Sequence, residues 1–183
     1  EKKFQIWIRE CAFSEKNLIE RTNADLADGL GNLVFRVLSM LEKYTNGSIP
    51  SVETDALIVQ EARTFAQEAY RAYVDHDIQN ALIHAWKIVA LGNKYITEKE
   101  PWRLMKEGKR EEVEKLLQTE VELLRQLSVL IFPVLPQTSA ALSAQFGFEK
   151  PLFSNLQKSI SLGGKKIKKG NVLFPKKELP AHA

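Results

Sequence analysis

Asn32 and Arg36, in the run Asn32-Leu-Val-Phe-Arg36, place an amide and a guanidinium one helical turn apart. A second run, Asn93-Lys-Tyr-Ile-Thr-Glu-Lys-Glu-Pro-Trp102, ends in an indole behind a proline. Planar hydrogen-bonding forks suit base edges and phosphates, and an aromatic plane suits stacking, which together is what unpaired nucleic acid requires. On a helix of about 100° per residue, Leu26, Leu30, Leu33, Val37 and Leu41 form one stripe, while Asn32 and Arg36 lie about 40° apart off it. The two are therefore expected to be exposed together, although an ordinary polar helix face would show the same pattern. Gly29 and Gly31 each cost a helix interior about 1 kcal/mol and allow a helix or ligand to approach closely. Pro101 fixes φ and ends the preceding helix, so Trp102 projects from a corner. There it serves either as a plug of the core or as a stacking platform, the latter favoured by Lys94, Lys99, Arg103 and Lys106 around it.

No catalytic constellation accompanies these groups. His76, His84 and His182 are far apart, and with Cys11 the single cysteine no pair has zinc-site spacing, so no metal site is expected. Dinucleotide and phosphate-loop glycine motifs and the serine elbow are absent, and Gly163-Gly164-Lys165 lacks the upstream glycine of a phosphate loop. Glu98, Glu100, Glu111 and Glu112 sit in highly charged stretches that read as solvated faces rather than acid-base pairs.

The elements that must position the forks and the indole are helical. With 183 residues, 44% hydrophobic and 27% charged, the chain has the composition of a folded domain with a full core. No apolar run approaches the roughly 18 residues of a spanning helix, no signal peptide is recognisable, and the lone Cys11 fits a reducing compartment, so a cytoplasmic or organellar-matrix location is expected. Ser14 is a plausible N-cap, and helical periods are predicted over about 23–44, 55–75, 78–95, 110–132 and 136–146. Tyr70, Tyr73 and Ala90 fall on the apolar stripes of the second and third of these. The expected fold is all-α, an antiparallel helical bundle over 14–147. Residues 148–183 form a basic tail, irregular or hairpin-like, in which Lys158, Lys165, Lys166, Lys168, Lys169, Lys176 and Lys177 crowd together; a solvated arm is the plain reading of such a run.

The run from Phe13-Ser-Glu to Asn32-Leu-Val-Phe-Arg36, then Tyr44-Thr-Asn-Gly-Ser-Ile-Pro50, Ala90-Leu-Gly-Asn-Lys-Tyr-Ile-Thr-Glu-Lys-Glu-Pro-Trp102, Leu130-Ile-Phe-Pro-Val-Leu-Pro136 and Leu173-Phe-Pro175 resemble, in order, the anticodon-binding domain of methionyl-tRNA synthetases. The resemblance spans about residues 13–175 and implies a bundle that binds the CAU anticodon of methionine tRNA. In it, the residues matching Asn32 and Arg36 contact the anticodon loop, those matching Pro101 and Trp102 form the platform for its first base, and Asn93 either joins them or pins helices together. The family's catalytic signatures, with their ATP and zinc sites, are missing here, which implies a non-catalytic piece of a ligase with residues 1–13 as a linker remnant. ATP, zinc and the catalytic domain would then belong to the parent enzyme, and this segment would carry no cofactor. The basic tail would touch the tRNA backbone or pack on that domain. Two alternatives stand beside this reading: a helical interaction or scaffold module in which Trp102 is core, and the anticodon domain of another class I synthetase.

Overall fold

The computed structural model describes residues 14–156 and 162–178, so the expected linker remnant at 1–13 lies outside the described residues. Among those residues the regular structure is helical, with no strand. Ser14 opens α1 (Glu15–Thr22) by accepting the Asn17 amide on its hydroxyl, with Glu15 at the electropositive end of the helix. The chain then passes through a π-helical stretch, Asn23–Gly31, into α2 (Asn32–Thr45) while Asn23 and Asn32 keep right-handed helical backbone. The helix predicted from Asn23 is thus one longer helical path beginning at Glu15, widened in its middle. Asn46 ends it in the left-handed conformation at φ 51°, and the Gly47 amide caps Leu41 O at 2.9 Å.

Asp55 caps α3 (Ala56–Val74) and Asp77 caps α4 (Ile78–Lys99), each accepting a backbone amide on its carboxylate. Pro101 does more than stop α4: it occupies the first position of a six-residue helix, α5 (Pro101–Lys106), too short to carry a periodic signal. Then come α6 (Arg110–Ile131), with Glu111 and Glu112 in its first turn, and α7 (Pro136–Phe146), which starts on proline and closes at Gly147 in the left-handed region. A 3₁₀ turn, Phe153–Asn155, follows.

Helices α3 and α4 pack antiparallel across the short loop at Asp75–Asp77, and α6 runs through the middle, touching α2, α3, α4, α5 and α7. From Thr119 to Ile131 every α6 residue but Glu122 is buried, as expected of a helix surrounded on all sides. The core joins Leu33, Val37 and Leu41 of α2, Ala62 and Ala69 of α3, Ile88 and Ile96 of α4 and Leu117, Leu124 and Leu127 of α6. Each fully buried leucine or isoleucine contributes about 1.5–3 kcal/mol. Two expected stripe residues fall outside this core: Ala90 is exposed, and Tyr70 stands at the surface with its ring 5.2 Å from Phe153.

Over its described residues the tail is irregular, one of the two forms expected, and it is packed on the bundle rather than solvated. Leu162 is buried in the core, with Ile167, Leu173 and Phe174 packed against it. Residues 164–167 pair with the loop after α2: Gly164 N donates to Ile49 O, Ile49 N to Lys165 O and Ile167 N to Gly47 O, all at 2.8–2.9 Å. Further along, Lys176 pairs with Asp28 at 2.8 Å, and the Asn23 amide exchanges two hydrogen bonds with the Lys177 backbone. Apolar residues between the lysines therefore hold the described part of the tail against the long helix and the loop after it, and its lysines are engaged as well: Lys165 donates to Gly147 O, Lys166 to Asn46 O, and Lys169 pairs with Glu42.

Candidate nucleic-acid interface

The π-helical stretch explains how Asn32 and Arg36 are aimed. Widened turns leave carbonyls free of their usual partners, and two side chains on one face of α4 take them up: Trp86 Nε1 donates to Asp25 O at 3.1 Å, and Asn93 Nδ2 to Gly29 O at 3.3 Å. A Cβ on Gly29 would meet α4 only at ordinary contact distance, whereas one on Gly31 would lie 3.0 Å from Leu26 O of the widened turn, with the Phe174 ring of the tail packed beside it. Asn32 emerges exposed at the start of α2. Arg36 is only partly so: it is half-buried, with Nη1 3.4 Å from Asn93 Oδ1. The expectation that both would be exposed together holds for Asn32 and is corrected for Arg36, because Asn93 of the neighbouring helix draws the guanidinium against α4.

Asn93 therefore bridges. Its amide donates to Gly29 O and Val89 O while its oxygen accepts from Arg36, which brings the two runs singled out by their residue types together in space. It pins α4 to the long helix and holds the Arg36 guanidinium at once.

Behind this contact lies Glu120 of α6, with no exposed surface and no hydrogen-bond partner on either carboxyl oxygen. A Cβ on Gly92 of α4 would sit 2.8 Å from Glu120 Oε2, so the absence of a side chain at Gly92 makes room for the carboxyl. Burial pushes the Glu120 carboxyl up to about 8, and the Arg36 charge pulls in the opposite direction. Tyr95 of α4 is pushed up by its own burial and by the charges of Asp55 and Glu120, and its hydroxyl donates to Asp55 Oδ2 at 3.1 Å.

At the far end of α4 the roles of proline and tryptophan separate. Glu100 turns the chain at φ 46°, Pro101 is buried with Leu104, and Trp102 is 44% exposed. Proline plugs the corner and the indole faces outward. Six residues separate Asn93 from the end of α4, about 9 Å of helical rise, and among the described residues Trp102 makes no hydrogen bond to Asn32 or Arg36. The cationic collar is partly spoken for: Arg103 pairs with Glu100 and Glu107, Lys94 with Glu98, and Lys99 lies over the Tyr95 ring.

Two participants escaped the sequence reading. Phe35 is 55% exposed and shares the face of Asn32, three residues away; the available signal was an apolar residue set off the core stripe between the two forks. Glu120 looks like one more acid on a charged helix, and nothing local marks it as buried.

Comparison with known proteins fits this arrangement. The profile of one family, the anticodon binding domain of methionyl tRNA ligase, matches residues 46–178. The chain belongs to that family. A methionine–tRNA ligase of Caldanaerobacter subterraneus subsp. tengcongensis is 37% identical over 171 residues, and methionine–tRNA ligase 1 of Bacillus cereus is 32% identical over 177. The alignments cover 90% and 91% of this chain but 27% of each relative, so the chain spans about a quarter of their length. The solved structure of apo Mycobacterium tuberculosis methionyl-tRNA synthetase superposes with a TM-score of 0.82 at 26% identity, over 92% of this chain and 36% of that one. Among the described residues no group of three His, Cys, Asp or Glu could hold a metal ion, and no helix is long and apolar enough to cross a membrane.

Proposed function

We propose that the chain reads the anticodon loop of methionine tRNA, CAU, on behalf of a methionine–tRNA ligase whose catalytic part, with its ATP and zinc sites, lies in other sequence. The observation that carries this reading is the Arg36–Asn93 contact, which ties the exposed Asn32 face to the helix that leads into the Pro101–Trp102 corner. In this reading Asn32 and Arg36 bind base edges or phosphates, Trp102 on its buried Pro101 base stacks the first anticodon base, Asn93 holds Arg36 in place, and Phe35 adds a second apolar face for an adjacent base. Lys165, Lys166 and Lys168, exposed along the strapped tail, add attraction for the backbone that carries no sequence preference. In the whole enzyme this binding would place the tRNA for methionyl transfer, in the cytoplasm or an organellar matrix. A scaffold module that uses Trp102 as core is disfavoured by the exposure of that indole.

The test is the affinity of the 183-residue chain for a CAU stem-loop against loops altered at the first anticodon base. Tighter binding of CAU supports the reading, and equal affinity for every loop refutes it.

A further inference from the structure

Glu120 has no part in the contacts proposed for RNA, yet its placement calls for a role. A carboxyl with no exposed surface and no partner on either oxygen is costly to keep. It is accommodated by Gly92 on the facing helix, and Gly92 adjoins Asn93, whose Oδ1 lies 3.4 Å from Arg36 Nη1, so the acid and the guanidinium meet the same short stretch of α4. A half-buried guanidinium and a fully buried, unpartnered acid are thus neighbours across α4.

We propose that Glu120 is a positioning residue for Arg36: ionised, it draws the guanidinium inward, and protonated, it leaves Arg36 to an RNA phosphate or base edge. The inference rests on the anticodon-loop reading above. The charged or titratable groups around Glu120 are Arg36 from α2, Tyr95 from α4 and, through the Tyr95 hydroxyl, Asp55 at the start of α3. Of these, Arg36 alone is a cation. When an anionic ligand engages Arg36, the ionised carboxyl loses its one source of attraction and takes a proton from solvent. Binding and protonation of Glu120 are therefore coupled, each favouring the other.

The free carboxyl titrates at about 8. If the complex keeps the proton through pH 9, the affinity for a CAU stem-loop falls about tenfold between pH 7 and pH 9. Glu120→Gln, neutral throughout, binds as wild type does at pH 7 and keeps that affinity at pH 9. The measurement is fluorescence anisotropy of a labelled CAU stem-loop with both proteins at constant ionic strength, where titration of RNA bases affects both equally. A wild-type decline shared in full by Glu120→Gln, or no decline in either, overturns the proposal. Should Glu120→Gln not fold, calorimetry of the wild type at pH 8 in two buffers of different ionisation enthalpy decides: uptake of about half a proton per complex is expected, and zero uptake overturns it. No binding by wild type at pH 7 refutes the anticodon-loop reading itself and this inference with it, a result distinct from pH-independent binding.

Discussion

Glu120 also makes the stability of the fold depend on pH in a window where the other shifted groups are silent. Its carboxyl titrates near 4.5 in an unfolded chain and at about 8 in the fold, where burial disfavours the charge. Below pH 4.5 both states hold the proton and the full stability is present. Between the two values the folded state keeps a proton that the unfolded state has released, so stability falls as pH rises, by about 1.4 kcal/mol per unit. The loss levels off above pH 8, and its ceiling is about 5 kcal/mol, comparable to the whole stability of many domains. Asp77 and Glu107, both held low by hydrogen bonds, lose their contribution only as pH falls through the acid range. Tyr73 and Tyr95, pushed up by burial, and Lys109, held up by Glu107, change stability only above pH 10. From pH 5.5 to 7.5 the part of the wild-type slope that Glu120→Gln lacks therefore belongs to Glu120, because every other group, the His84–Glu68 pair included, is common to both proteins. Urea unfolding followed by circular dichroism should show wild type losing about 2.5 kcal/mol more than Glu120→Gln across those two units. The new amide brings unmet hydrogen bonds of its own, which move the Glu120→Gln curve up or down without tilting it. Parallel curves for the two proteins would show that the buried carboxyl is not the group that titrates, and would refute the reasoning.

Trp102→Ala should weaken CAU stem-loop binding by about 5- to 150-fold, the equivalent of one lost base stack, and relax discrimination at the first anticodon base; because the indole is 44% exposed, thermal unfolding should change less than for a core aromatic. Phe35→Ser should lower affinity for the same loop, measured by anisotropy, with unfolding nearly unchanged; unaltered affinity would remove Phe35 from the binding face. Leu162→Ala should cost about 2–5 kcal/mol in urea unfolding because the side chain fills the core, whereas a solvated arm would show less than about 0.5 kcal/mol.

Helix ends were the most legible part of this fold. Ser14, Asp55, Asp77, Pro136 and Gly147 act through local chemistry, a side-chain cap, a fixed φ or a left-handed residue, and local chemistry can be read from neighbours in sequence. The π-helical stretch could not be read, because Trp86 and Asn93, more than sixty residues away, bond to its carbonyls. The course of the tail was hidden for a similar reason. Its lysines dominate the composition, while the contacts that fix it, Leu162 in the core and backbone pairing with Gly47 and Ile49, involve partners over a hundred residues apart. At the binding face, residue types suggested the forks and the indole, but only packing could decide that Pro101 goes in and Trp102 out.

Departures from local preference occur in several parts of the bundle, Asn46 and His76 at positive φ among them, but a group of them belongs to the two segments singled out by residue type. Gly29 and Gly31 inside a helical path, the widened turns around them, Gly92 facing an unpartnered buried acid, and Glu100 at φ 46° all belong to the stretch leading into Asn32 or to α4 and its end. Each is unfavourable alone: about 1 kcal/mol for a helix glycine, about 1–3 for a non-glycine residue in the left-handed region, and more for an unmet buried carboxyl. A bundle selected for stability alone would place alanine at Gly92 and a leucine at Glu120. Under the proposed reading these departures serve the groups assigned to RNA: the wide turns precede Asn32, Gly92 and Glu120 lie near Arg36, and Glu100 with Pro101 turns the indole to solvent. Natural chains relax local rules chiefly where function requires it, and in this one those places trace the surface on which an anticodon loop would lie.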